Sequence, residues 1–411
     1  MKHVKLLSVK LGIVAMLIAQ SVVGAGFGIY EGSTRGNALG SEVTADPASP
    51  SVLYNNAAGI TELDGRQMEF GSSFVYPQQA VTTTMSDGQN VNYTAGKWWM
   101  IPNTYVTRQI NDRVWTGVGM FTRYGLGVKY KDDWAGRYNV QEVTITSLDL
   151  NPSVAFKATD RLSLAAGIRA EYFDFELYKA IPTATPFVDP DLQMHLKGES
   201  WGVGFNLGAY FKASDWISFG LAYDSQVKQT LNGNYTTTHP VLARGDASGD
   251  ITTPAIIRLG ASVKATENLT VNAGVAYTMW SSYDELAIDF NPSLLGEVPR
   301  SVTEKDWNDV FRYQLGVEYA FNQTWTLRTG YIYDCTPDPD GHVDYIVPAN
   351  NRNMFATGVG YQKGNFFSDL SYTYLLIEDR HVAARPEEGI VPSSFEGGDA
   401  HMIAASFGYK L

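Results

Sequence analysis

Arg169, Arg258, Arg312 and Arg328 each stand on the small-and-polar side of a run in which apolar residues recur at every second position. A guanidinium in that setting offers one chemistry, a two-pronged, charge-assisted hydrogen bond to a carboxylate or phosphate. Two partners are open to it: an acidic side chain on a neighbouring strand, or the acid group of a ligand. Burying it with neither is costly. Lys179 and Arg137, in polar connecting stretches, are further cations of this kind. Catalysis lacks its parts. His3, His195, His239, His342, His381 and His401 are scattered, and no Gly-x-Ser-x-Gly elbow, His-Glu-x-x-His pair or phosphate-binding glycine loop occurs. Asp338-Pro339-Asp340 has the oxygen chemistry of a Ca²⁺ ligand, but it reads more simply as solvated loop charge. No enzymatic activity, cofactor or metal is expected.

The elements that carry these arginines follow from the alternation. Leu162, Leu164, Ala166, Ile168, Ala170 and Tyr172 fall on one side of a period of two, with Ser163, Ala165, Gly167, Arg169 and Glu171 on the other. The same pattern recurs around Phe219 and Leu221, Val271 and Val275, Tyr313 and Leu315, and Leu327 and Tyr331, and it runs to the chain end through Ile403, Ala405, Phe407, Tyr409 and Leu411. Short Asn/Asp/Gly-bearing turns are expected at Asn111-Asp112, Thr159-Asp160, Ser214-Asp215, Glu267-Asn268, Asn322-Gln323 and Lys363-Gly364-Asn365. Longer polar connections lie near 79–96, 124–144, 178–193, 231–250, 291–302, 337–350 and 381–399. Short turns on one side and long loops on the other imply about fourteen strands.

Residues 1–25 read as a signal peptide: Lys2, Lys5 and Lys10, then apolar Leu11 to Val23, then Gly24 and Ala25. The apolar part is short for a spanning helix, although an uncleaved anchor is the other reading. Without the three signal lysines, 28 basic face 43 acidic side chains, a net charge near −15. That disfavours nucleic acid, which needs a basic surplus. The single cysteine, Cys335, excludes an intramolecular disulfide. Mean hydropathy is only −0.16, yet 13% of the chain is aromatic and no apolar run near 20 residues follows the signal. Export, aromatic richness and alternation together point to an all-β transmembrane antiparallel barrel. Its expected place is the bacterial outer membrane, in contact with outer-membrane lipid. A soluble sandwich is the alternative, but it has less use for so many Tyr, Phe and Trp at strand ends.

Residues 26–65 do not alternate and are rich in Gly, Ala, Ser and Asn. A lumen bounded by fourteen strands would leak unless filled, so this segment reads as an N-terminal plug inside the barrel of 66–411. The start AGFGIYEGSTRGNALGSEVTA resembles the plug of the FadL-type outer-membrane transporters of long-chain fatty acids and aromatic hydrocarbons. The resemblance continues through Ile110 to Val140, Leu150 to Ile168, Ala276 to Leu286, Asp306 to Pro339 and Asn350 to Tyr361. Asn55, Asn56, Ala57, Ala58 and Gly59 sit where that family has an Asn-Pro-Ala motif, with Ala57 replacing the proline, and Asn308 stands where a lysine is frequent.

The resemblance implies a fourteen-stranded barrel, expected as a monomer, that takes up a hydrophobic small molecule by passive, ligand-gated diffusion. Long-chain fatty acid is the expected cargo. An aromatic hydrocarbon, which Asn308 would favour, a non-selective porin and an adhesive surface protein are the alternatives. The four arginines are then candidates for the ligand carboxylate. Phe121, Tyr124, Leu126, Trp134, Tyr138, Phe173 and Phe175 are candidates for an external apolar groove, or else are ordinary interfacial aromatics. Gly117 and Gly119, in a glycine series with Gly125 and Gly127, are candidates for a wall kink that lets cargo leave sideways after the plug shifts.

Overall fold

A strand that crosses lipid must be hydrogen-bonded along both edges, so the alternating runs pair in chain order until the last meets the first. The computed structural model describes residues 26–84, 90–95 as backbone, 97–182, 191–241 and 243–411. The expected signal at 1–25 and parts of the connections at 79–96 and 178–193 lie outside the described residues. The first stave of the barrel is β1 (Arg66–Thr84), and β2 (Asn90–Ala95) with β3 (Trp99–Asn111) makes the second. The third is β4 (Val114–Phe121) with β5 (Gly125–Lys129), followed by β6 (Glu142–Lys157), β7 (Leu162–Ile181) and β8 (Leu192–Lys212). The next four are each made of two pieces: β9 (Ile217–Asp224) with β10 (Val227–Thr237), β11 (Arg244–Thr253) with β12 (Ile256–Lys264), β13 (Leu269–Thr278) with β14 (Glu285–Leu294), and β15 (Val298–Glu304) with β16 (Val310–Ala320). Then come β17 (Trp325–Asp334), β18 (Arg352–Lys363), β19 (Phe366–Ile377) with β20 (Arg380–Val382), and β21 (Ser393–Lys410). β21 returns to β1, Lys410 opposite Gln67 and Ser393 opposite Thr83, and fourteen antiparallel staves close.

All six short turns join consecutive staves as expected. The connections expected at 231–250 and 291–302 are instead mostly strand, in the hairpins β10–β11 and β14–β15. There the polarity inverts. On β10 the inward Val227 and Leu231 are buried and the outward Lys228 and Thr230 are exposed. Lower down the apolar side faces out: Leu164, Ile168, Val203, Phe205 and Leu207 are exposed, and Val203 reaches 74%. Such a belt suits lipid, while the upper hairpins obey the rule for water.

The segment 26–65 lies inside. Its pieces are α1 (Thr34–Ala38), capped by Ser33 Oγ accepting from Gly36 N at 2.9 Å, α2 (Val52–Asn55), and a 3₁₀ turn (Ala57–Glu62). α1 rests on β17, β18 and β19, while α2 and the 3₁₀ turn meet β4 and the 3₁₀ turn also meets β6, β7 and β8. Small residues are needed for this fit. Gly40 has φ +63° and touches the wall so closely that a Cβ would lie 2.8 Å from the carbonyls of Leu315 and Tyr331. Gly330 faces it, and a Cβ there would overlap the Gly40 nitrogen. Backbone cannot yield as a side-chain tip can. Gly330→Val is therefore expected to push the plug off this seam while the barrel ladder, satisfied by backbone alone, stays closed. Planar-bilayer recording should detect a raised steady conductance from protein that still migrates as a folded barrel.

Candidate functional site

Above the plug the lumen is apolar. Tyr124, Leu126, Trp134, Phe173 and Phe175 are all buried in one cluster with Leu196, Leu231, Trp280, Tyr283, Leu286 and Trp307. Phe27 of the plug is the centre of an aromatic box: its ring lies 4.7 Å from Trp280, 5.4 Å from Tyr283 and 5.7 Å from Trp307. These residues, expected to form an external groove, lie mostly inside instead: β7 parity turns Phe173 and Phe175 inward, and Trp134 reaches the cluster from the irregular stretch between β5 and β6. Phe121 is buried apart, against Tyr54 and Tyr105 at 5.1 and 5.8 Å. Tyr138 is at the rim, where its hydroxyl donates to Asp191 beside Arg137.

The wall has an irregularity beside this box. Gly117 and Gly119 sit in an unbroken stretch of β4, paired with Thr107 and Tyr105 on one side and Ser153 and Asn151 on the other. A Cβ on Gly117 would press on Leu53 of the plug, and one on Gly119 on Phe121. The interruption lies higher, at Thr122–Tyr124. Beyond the Thr104–Met120 pair, β5 is paired with β6 alone among the described residues. The plug's start covers part of that free edge: Ile29 N–H donates to Arg123 O at 2.7 Å, and Gly125 N–H to Phe27 O at 2.8 Å.

Three of the four arginines are neutralised by the chain itself. Arg169, fully buried, bonds Asp149 at 2.9 Å and Glu171 at 2.7 Å. Arg258 pairs with Asp224, which also takes Arg123 at 3.2 Å. Arg328 bonds Glu318 at 2.6 Å and Asp369, and Glu318 also receives Arg35 of the plug at 3.1 Å. Arg312 differs. It is buried and lies over the Tyr30 ring, 3.3 Å from its centroid, and its Nε and Nη1 have no hydrogen-bond partner among the described residues. The nearby plug carboxylates are engaged locally, Glu31 by Tyr30 N–H and Glu42 by Thr44 N–H. A desolvated cation on an aromatic face gains about 2 kcal/mol, less than the several kcal/mol that burying a charge costs. Arg312 is one inward step below Val310, which packs on the apolar cluster.

The loop between β17 and β18 folds over the mouth, with Val343, Tyr345, Ile346 and Val347 in the same cluster. Lys305, buried, pairs with Asp344 of that loop. Arg380 donates to the carbonyls of Asp338 and Ala349, both at 2.7 Å, and to Asp340 at 2.9 Å. Burial, with Asp344 nearby, pushes the Asp338 carboxyl up to about 7. Arg137 bonds Asp191 at 2.8 Å, and Lys179 is half-buried near the top of β7. Asn56 holds the plug turn where proline is missing: it accepts from Ala58 N–H and donates to the carbonyls of Thr44 and Ala209, each at 2.9 Å. Asn55 donates to Ser41 O at 2.9 Å, and a Cβ on Gly59 would crowd Pro47 and Val52. Ala57 and Ala58 are buried against the β4, β6–β8 side.

Residues 15–411 match the family described as outer membrane protein transport protein (OMPP1/FadL/TodX). The chain belongs to that family. The long-chain fatty acid transport protein of Escherichia coli O6:H1 is 25% identical over 446 residues, with 98% of each chain covered. Outer membrane protein P1 of Haemophilus influenzae is 25% identical over 88% of each. A FadL homologue of Pseudomonas aeruginosa superposes with a TM-score of 0.82 at 19% identity, covering 94% of this chain and 99% of the other. The toluene transporter TbuX of Ralstonia pickettii gives 0.71 at 18%, with coverages of 94% and 99%. This FadL-family chain is an outer-membrane transporter of hydrophobic substrates.

Within the FadL-family chain, sequence reasoning missed Arg123, Trp280, Tyr283, Lys305 and Trp307. The last four lie in irregular stretches between strand pieces, where no period exists to read. Two outcomes follow. Arg169→Met would leave Asp149 and Glu171 buried without their cation, a loss of about 3–5 kcal/mol, seen as a lower denaturant midpoint for the folded barrel; adding Glu171→Gln should recover part of it. The raised Asp338 carboxyl makes loop docking pH-dependent. Its stabilising effect is full below the ordinary carboxylate range and is lost as pH rises towards about 7. Hydrogen exchange at 343–347, corrected for intrinsic rate, should show tighter protection at pH 5 than at pH 8, and Asp338→Asn should flatten the difference.

Proposed function

We propose that this transporter carries long-chain fatty acids inward by passive diffusion, with the acyl chain in the apolar upper lumen and the carboxylate on Arg312. The observation that carries the reading is a buried arginine with no carboxylate in ion-pair contact, at the floor of the apolar cluster that fills the upper lumen. A tail received among these apolar side chains gains about 0.8 kcal/mol per buried methylene. The carboxylate supplies the hydrogen bonds that Arg312 Nε and Nη1 lack. Arg169, Arg258 and Arg328 serve instead to hold wall and plug, since each already has its acids. No step of bond making is required. Exit runs sideways past Thr122–Tyr124 once Phe27 and Ile29 withdraw and the plug shifts. This places the gap above the Gly117–Gly119 stretch first expected to kink.

An aromatic hydrocarbon is the second reading. It is favoured by the box of Trp280, Tyr283 and Trp307 around Phe27 and by Asn308, whose N–H donates to Pro337 O at 2.8 Å rather than offering a charge. A porin is disfavoured by the packed apolar cluster of the upper lumen, which leaves no open pore and gives sugars no hydrogen bonds. Palmitate and toluene binding to the purified full-length barrel separates the readings. Arg312→Ala should weaken palmitate binding ten- to hundredfold, the equivalent of about 1.5–3 kcal/mol for a charged hydrogen bond, and leave toluene unchanged. Equal palmitate affinity in the variant would transfer the carboxylate role elsewhere, and toluene binding without palmitate binding would favour the hydrocarbon.

A further inference from the structure

Arg123 stands at the break in the third stave, between the end of β4 and the start of β5, and it holds the plug twice. Its backbone carbonyl accepts from Ile29 N–H at 2.7 Å. Its side chain reaches α2, where Nη2 donates to the carbonyl of Tyr54 at 3.0 Å. Tyr54 completes the circuit, because its hydroxyl donates to the carbonyl of Ile29. Ile29, Arg123 and Tyr54 are thus joined in a closed loop of hydrogen bonds that runs from plug to wall and back. Packing supports it: the guanidinium lies over the Tyr54 and Phe121 rings, 4.5 and 4.8 Å from their centroids. A Cβ on Gly32 would overlap the Tyr54 ring, so the plug backbone rests directly on that side chain.

The same Nη2 also donates to Asp224, the last residue of β9, at 3.2 Å. Asp224 is shared with Arg258 of β12, so one carboxylate serves two guanidiniums. Arg123 Nε and Nη1 are buried and have no hydrogen-bond partner among the described residues. Arg169 shows the contrast. Its Nε, Nη1 and Nη2 each have an acceptor of their own, in Asp149, the Ser225 carbonyl and Glu171. Arg169 is a brace that gains nothing by moving. Arg123 engages both its acceptors through one of three nitrogens, so it loses few bonds on release, and water at an opened edge would satisfy the other two nitrogens.

We propose that Arg123 is the latch of the side exit: the circuit it forms with Ile29 and Tyr54 has to open before the plug can leave the free edge of the third stave. The proposal rests on the sideways exit proposed above, and the identity of the cargo does not enter it. Arg123 acts as a positioning residue, since its contacts are with plug and wall. Hydrogen exchange of the full-length barrel reads the latch at residues 27–32, which include the Ile29 amide. Arg123→Met keeps the side-chain stem on the two rings and removes the donor. Tyr54→Phe keeps the ring and removes the hydroxyl. Each should speed exchange at 27–32 about tenfold in protein that still migrates as a folded barrel, with the protection of β7 and β18 unchanged. The double variant should fall well short of the product of the two single effects, because either change already opens the circuit. Arg123→Lys, which restores a charged donor, should recover part of the protection. Exchange at the parent rate in both Arg123→Met and Tyr54→Phe would overturn the latch, as would a Met variant better protected than the Lys variant, which is the signature of packing alone. Uptake of radiolabelled oleate, in cells lacking their own fatty-acid transporter, ties the latch to the exit: Arg123→Met should change the rate at least threefold. Faster exchange with oleate uptake at the parent rate would overturn the exit role. No oleate uptake by the parent chain would overturn the proposed cargo and leave the latch to be decided by exchange.

Discussion

Every peptide group that faces lipid must find a partner on a neighbouring stave, and the rest of this molecule follows from that requirement. It forces the last strand onto the first and so creates a lumen. The lumen must be filled, and the filler must come within backbone contact of the wall, which is why Gly40 meets Gly330. The same requirement says where the wall is allowed to part. At Thr122–Tyr124 the plug's own backbone supplies bonds to the free edge, through Phe27 and Ile29.

The lumen divides by height. Low down, charges are dense and matched: Arg35, Glu318, Arg328 and Asp369 form one network tying plug to wall. Higher up, aromatic and aliphatic side chains replace them and the charges move to the outer face. Arg312 lies at the boundary, with an aromatic ring instead of an acid. A boundary with one unmatched cation suits an amphiphile better than a purely apolar or a purely polar solute.

Much of this architecture was legible along the chain. Alternation identified the membrane-crossing staves, since the outward face is mainly apolar wherever lipid is the solvent. Six hairpin turns announced themselves through Asn, Asp and Gly. Parity turned all four arginines inward. Their partners could not be read the same way: Asp224 meets Arg258 across a strand pair and Asp149 meets Arg169 across another, and such distances are properties of register. The upper hairpins read as loops in the sequence because their polarity is inverted and broken by Gly and Pro. The groove aromatics were expected on the outside because aromatics at strand ends usually sit at the headgroup level. Trp280, Tyr283 and Trp307 were hidden by the irregular backbone around them.

The clasp at the third stave has a consequence for which cargo can use the proposed exit. Two backbone hydrogen bonds hold Phe27 and Ile29 to that edge, together about 1–3 kcal/mol net, and withdrawing the Phe27 ring from its box adds about 1.5–3 kcal/mol. Each methylene brought among the apolar side chains of the upper lumen contributes roughly 0.8 kcal/mol in the opposite direction. A two- or four-carbon acid cannot offset the clasp, whereas a chain several methylenes longer can. Selection by chain length then needs no steric ruler: the strength of the clasp sets a threshold, and every additional carbon beyond it shifts the equilibrium further towards the open edge.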